Sequence, residues 1–119
     1  MFRDGIYQVV CCTIGHAERV CDHFVASVRD GRILGSDGHG GLYLGHDGGT
    51  ALDYSARIQM TVQMPPGGQL ITGLIAGPDG AALPLTGLLD ASADRQKSII
   101  DIAGEAIEIE VSYLGPLPQ

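Results

Sequence analysis

From Leu52 to Met64 the chain alternates without a break. Leu52, Tyr54, Ala56, Ile58, Met60, Val62 and Met64 are apolar, and Asp53, Ser55, Arg57, Gln59, Thr61 and Gln63 between them are polar. A period of two puts the first set on one face of an extended chain and the second on the other, whereas a helix would scatter both around its axis. The stretch therefore reads as a long strand with one buried face. The pattern returns near the end, where Ile107, Ile109, Val111 and Tyr113 alternate with Glu108, Glu110 and Ser112 until Pro116 stops it. Each half-buried strand needs neighbours to cover its apolar face, so the rest of the chain has to be read for more strands.

Turn chemistry supplies them. Cys21 to Val28 and Arg32 to Gly35 flank Asp30-Gly31, a two-residue signal whose backbone suits the twist of paired strands. Leu70 to Ala76 and Ala82 to Leu89 flank Gly77-Pro78-Asp79-Gly80, which reads as a second hairpin. Ile6 to Thr13, Gly41 to Gly45 and Ile99 to Ala103 bring the number of strands to eight or nine. Only Ala91 to Ser98 leans towards a helical turn, with Asp90, Ser92 and Asp94 as caps. A single sheet of that many strands curls, and closure removes its edges. The expected fold is all-β: one domain over residues 1–119, an antiparallel up-and-down barrel, with a β-sandwich as the alternative. Two Phe, no Trp and 18 Gly leave the interior mainly to aliphatic side chains.

Fourteen acids against seven bases give a formal charge of −7, the wrong sign for a surface that must neutralise phosphates. Direct nucleic-acid binding is not expected, and an acidic surface serves solubility or a basic partner. The opening Met1-Phe2-Arg3-Asp4-Gly5 lacks the apolar core of a signal peptide, and no run has membrane-spanning length, so a cytoplasmic protein without membrane contact is expected. Cys11, Cys12 and Cys21 are odd in number, and the adjacent pair points to opposite faces of a strand. Reduced, partly buried thiols are the expectation.

Asp4-Gly5-Ile6-Tyr7, then Asp30-Gly31-Arg32-Ile33-Leu34-Gly35-Ser36-Asp37, then Gly41-Leu42-Tyr43-Leu44-Gly45 occur in an order and spacing that resembles the GrlR family, small proteobacterial proteins named after a negative regulator of type III secretion genes. The resemblance covers roughly residues 4 to 65. It implies a calycin-like barrel, commonly a homodimer, that binds without catalysis; the founding member holds an activator protein and can enclose a lipid-like ligand. There a strongly acidic loop after the tyrosine-bearing strand is tied to regulation. Here that loop reads His46-Asp47-Gly48-Gly49-Thr50, with one acid, and His46 and Asp47 are its candidate partner-contacting residues.

No constellation of catalytic residues stands out, and no cofactor is expected. Asp37, His39, His46 and Asp47 have metal-ligand chemistry, but glycine-rich connections hold solvated histidines equally well. Cys11, Cys12, Cys21 and His23 lack CxxC spacing. No Ser lies on a G-x-S-x-G turn, and neither Gly35-Ser36-Asp37-Gly38 nor Gly38-His39-Gly40-Gly41 carries a phosphate-binding lysine. The interior row offers more: Tyr54, Ile58, Met60 and Val62, with Tyr7 and Tyr43 as polar tips, are the candidate ligand-binding residues of a barrel that leaves room inside. Two functions are thus expected. One is a non-catalytic regulatory protein acting on a transcriptional activator by protein–protein contact, and the other is a carrier of an apolar small molecule or lipid.

Overall fold

The computed structural model describes residues 2–15, 17–48 and 55–118. Eight strands follow one another as β1 (Gly5–Thr13), β2 (Cys21–Arg29), β3 (Arg32–Ser36), β4 (Leu42–Asp47), β5 (Ser55–Met64), β6 (Ala81–Asp90), β7 (Arg95–Ile102) and β8 (Glu105–Gly115). Each pairs antiparallel with the next, and β8 returns to β1, so the sheet is a closed up-and-down barrel. No strand is left with a free edge along its whole length, which is what closure gains over a sandwich.

The period-two reading holds where it can be checked. In β5, Ala56, Ile58, Val62 and Met64 are buried while Arg57, Gln59 and Gln63 are exposed. Ile107, Ile109 and Val111 of β8 face the same core, and the closing seam sets Val9 opposite Val111 and Cys11 opposite Ile109. Tyr54 lies outside the described residues, as do Leu52 and Asp53. Between β2 and β3, Asp30 and Gly31 have φ of 51° and 78°, the left-handed pair that a two-residue hairpin turn needs. Gly45 is required for a different reason: it pairs with Met60, and a Cβ there would sit 2.6 Å from the Met60 Cα.

Three expectations are corrected. Leu70 to Ala76 is not a strand of a hairpin. β6 pairs instead with β5, from Met64 opposite Ala81 onward, and residues 65–80 form the connection. The glycine-proline turn is there, with the Gly80 N–H donating to the Gly77 carbonyl at 3.1 Å, but it closes an excursion whose Leu70 and Ala76 are buried against the core. Ala91 to Ser98 is not helical. Asp90 does cap, accepting from the Ser92 N–H at 2.9 Å, yet the result is a turn and β7 begins at Arg95.

The third correction concerns the cysteines: Cys12 and Cys21 form a disulfide, and only Cys11 is free. Adjacent cysteines do face opposite sides of β1, but the chain reverses between β1 and β2 and sets Cys21 directly opposite Cys12, with Cα atoms 4.1 Å apart. The Thr13 N–H donates to the Val20 carbonyl one pair further on, so Cys12 and Cys21 occupy a non-hydrogen-bonded position, where side chains approach most closely.

The seam between β6 and β7 is the narrowest. Its register runs only from Leu85 opposite Ile102 to Gly87 opposite Ile100. Beyond that, the Gln96 side chain stands in for a peptide: its amide donates to the Asp90 carbonyl at 2.6 Å, and its carbonyl accepts the Asp90 N–H at 2.8 Å. Among the described residues no helix is long and apolar enough to cross a membrane.

Candidate functional site

The barrel interior holds a cavity of about 70 Å³ whose wall exposes no polar atom to it. Tyr7, Tyr43, Ile58 and Met60, all expected from the sequence, line it together with Phe2 and Phe24. Val62 is fully buried but packs in the core away from the cavity wall. An engineered apolar cavity that takes up benzene measures about 150 Å³, so this one is roughly half that size.

Neither tyrosine offers a polar tip to a guest. The Tyr7 hydroxyl donates to the Arg3 carbonyl at 2.6 Å, and the Tyr43 hydroxyl donates to the Asp37 carboxylate at 3.0 Å. Burial, and after it the negative charge of Asp37, holds the Tyr43 phenol well above its ordinary range. The Tyr43 ring stacks on Phe24 at 4.4 Å. Cys11 reaches the same cavity, and burial, with Asp22 and Asp37 adding to it, pushes its thiol up to about 12. A thiol held in its protonated form is a poor nucleophile and a poor metal ligand.

The two polar residues expected in an exposed β4–β5 loop part company. Gly45, His46 and Asp47 belong to β4, while Gly49 and Thr50 lie outside the described residues. His46 is exposed on the outer wall, but Asp47 is buried, 9% exposed, and accepts the Phe2 main-chain N–H at 2.8 Å. The alternation that faces Tyr43 inward also faces Asp47 inward, so its carboxylate holds the N-terminal arm and sets the Phe2 ring over the cavity. Asp37 is likewise engaged in its own turn, accepting the N–H groups of His39 at 2.8 Å and Gly41 at 2.9 Å. His39 Nε2 lies 3.6 Å from the Asp22 carboxylate. Among the described residues no cluster of three or more His, Cys, Asp or Glu side chains could hold a metal ion.

The outer wall of β2, β3 and β4 carries apolar and cationic side chains side by side. Its register stacks three rows across the strands. Val25 faces Ser36, which faces Leu42; Ser27 faces Leu34, which faces Leu44; and Arg29 faces Arg32, which faces His46. Val25 is 53% exposed, Leu34 52% and Leu42 40%, so apolar side chains from three neighbouring strands stand together in solvent. Ser27, Arg29, Asp30, Arg32, Leu34 and His46 are among the residues that line an open groove of about 1130 Å³ along this wall.

This surface escaped the sequence reading, although one signal for it was present. Arg29 and Arg32 flank a two-residue turn, and residues so placed must face each other on the same side of the sheet. Comparison of the chain with protein-family models, with curated proteins and with solved structures gives no match.

Proposed function

We propose that this barrel is a non-catalytic regulatory binding protein that acts through protein–protein contact on the outer wall of β2, β3 and β4. The observation that carries this reading is the cluster of exposed apolar side chains, Val25, Leu34 and Leu42, beside an open groove. Contiguous apolar surface rimmed by polar groups is the usual mark of a docking site, since burying it against a partner recovers the free energy lost to hydration. The resemblance to the GrlR family adds the kind of partner, a transcriptional activator held by contact, and a dimeric state. Direct nucleic-acid binding has no place in this reading. Catalysis has no part in it either.

A cytoplasmic site of action belongs to the same proposal. Against it stands the Cys12–Cys21 disulfide, since cytoplasmic thiols keep most disulfides open. The second reading, a carrier of an apolar small molecule, keeps support from the apolar cavity.

The test is affinity capture from extracts of the source organism with the wild-type chain and with Leu34→Asp. Leu34 is half exposed, so the variant should melt within about 0.5 kcal/mol of the wild type. The reading expects a protein retained by the wild type and lost by the variant. Equal capture by both, at unchanged stability, would contradict it.

A further inference from the structure

The cations of this acidic chain are divided sharply between two kinds of environment. Four of the seven Lys and Arg side chains are paired: Arg3 with Asp94, Arg19 with Glu108 at 2.9 Å, and Arg95 and Lys97 with Glu110. The other three, Arg29, Arg32 and Arg57, are exposed and form no ion pair with any described residue. They also lie together. Arg29 and Arg32 are direct cross-strand partners, Arg32 faces His46, and Arg57 follows in the next row of β5, two residues before Gln59, the partner of His46.

Like charges opposite each other on a sheet repel, and a chain with 14 acids has ample means of placing a carboxylate between them. Two exposed carboxylates stand at this end without closing an ion pair to Arg29 or Arg32: Asp30 lines the same groove, and Asp4 accepts the Asp30 N–H at 2.9 Å, while the Asp47 carboxylate is turned inward onto the Phe2 N–H. The cationic row borders the apolar rows directly. Alternate residues along a strand are about 7 Å apart and neighbouring strands about 4.8 Å, so the spacing from Val25 through Ser27 to Arg29 is that of every second residue in an extended chain.

Resting on the protein-binding reading above, we propose that the β2–β4 wall receives an extended acidic segment of a partner protein, in which apolar side chains at every second position are followed by carboxylates at the same spacing. The apolar residues lie over Val25, Leu34, Leu42 and Leu44, and the carboxylates reach Arg29, Arg32 and Arg57. Charge complementarity selects this occupant. A nucleic acid carries a charge at every phosphate and has no apolar side chains at alternate positions to lie over Val25, Leu34 and Leu42, so it would leave the apolar rows in solvent. A second copy docking through the same wall would set its own arginine row against this one.

Two synthetic peptides test it: Leu-Ser-Leu-Ser-Glu-Ser-Glu, and the same sequence with Lys for both Glu, each titrated into the full chain and followed by amide NMR shifts. The acidic peptide should bind at least tenfold more tightly than the lysine peptide, shift Arg32, Leu34 and Leu44, and weaken in 0.5 M salt, where screening length falls to about 4 Å. Arg29→Glu together with Arg32→Glu should reduce its affinity at least tenfold while leaving the melt unchanged. Equal binding of both peptides, shifts confined to β6–β8, or equally tight binding of a single-stranded oligonucleotide or of phosphatidylglycerol vesicles would overturn the proposal. So would self-association that the arginine reversal abolishes. If Leu34→Asp removes capture of the natural partner and the arginine reversal does not, the acidic segment falls and the protein-binding function stands; if neither variant affects capture, both fall.

Discussion

Met60 and Gln59 are neighbours in the chain and face opposite media. Met60 lines the apolar cavity, and Gln59 is exposed on the outer wall. A carboxylate at position 60 would meet no hydrogen-bond donor on the cavity wall, and burying a charge without a partner costs several kcal/mol, comparable with the whole stability of a small domain. Met60→Asp is therefore expected to unfold the barrel or lower its melting temperature severely, and Gln59→Asp to leave it nearly unchanged. Paired thermal melts check this, and equal losses would mean that the strand does not have the two faces assigned to it. At this scale the sequence was legible wherever hydrophobicity alone decides the side, as in β5. It was misleading at Asp47, a polar residue on the inward side of β4, because the N–H that holds it belongs to Phe2, 45 positions earlier in the chain.

Among the elements, the β1–β2 hairpin carries a staple that the turn signals did not reveal. Cysteine spacing says nothing about pairing until the register is known, and the register here depends on where the chain reverses between Thr13 and Cys21. Cys12 and Cys21 are nine positions apart, and closing a loop of that size restricts the unfolded chain by about 2.5 to 3 kcal/mol in the chain-entropy picture. Reduction, or Cys12→Ser with Cys21→Ser, should lower the melting temperature by about 10–20 °C with the fold retained. A melt that does not respond to reductant would show that the staple contributes nothing. The β5–β6 connection was misread for a related reason. Leu70 and Ala76 are apolar because they cover one end of the barrel, and burial of that kind looks like a strand when only local composition is read.

For the molecule as a whole, alternation and turn spacing anticipated an antiparallel meander, and closure followed from the number of strands. What the sequence hid was the outer surface, because exposed positions are not patterned by burial and become a surface only once strands are set side by side in register. Among the exposed apolar places on the strands, two lie on neighbouring strands and compete as docking sites. One is the β2–β4 wall around Leu34. The other is the pair Leu88 and Ile99, 56% and 62% exposed where the β6–β7 register ends. Only the first combines apolar rows with a groove and arginines that form no ion pair with any described residue. A photo-crosslinking residue placed at position 34 in one preparation and at position 99 in another, each irradiated in extracts of the source organism, separates the two. The account predicts a discrete crosslinked partner from position 34 and none from position 99; a partner captured only from position 99, or from neither, would contradict it.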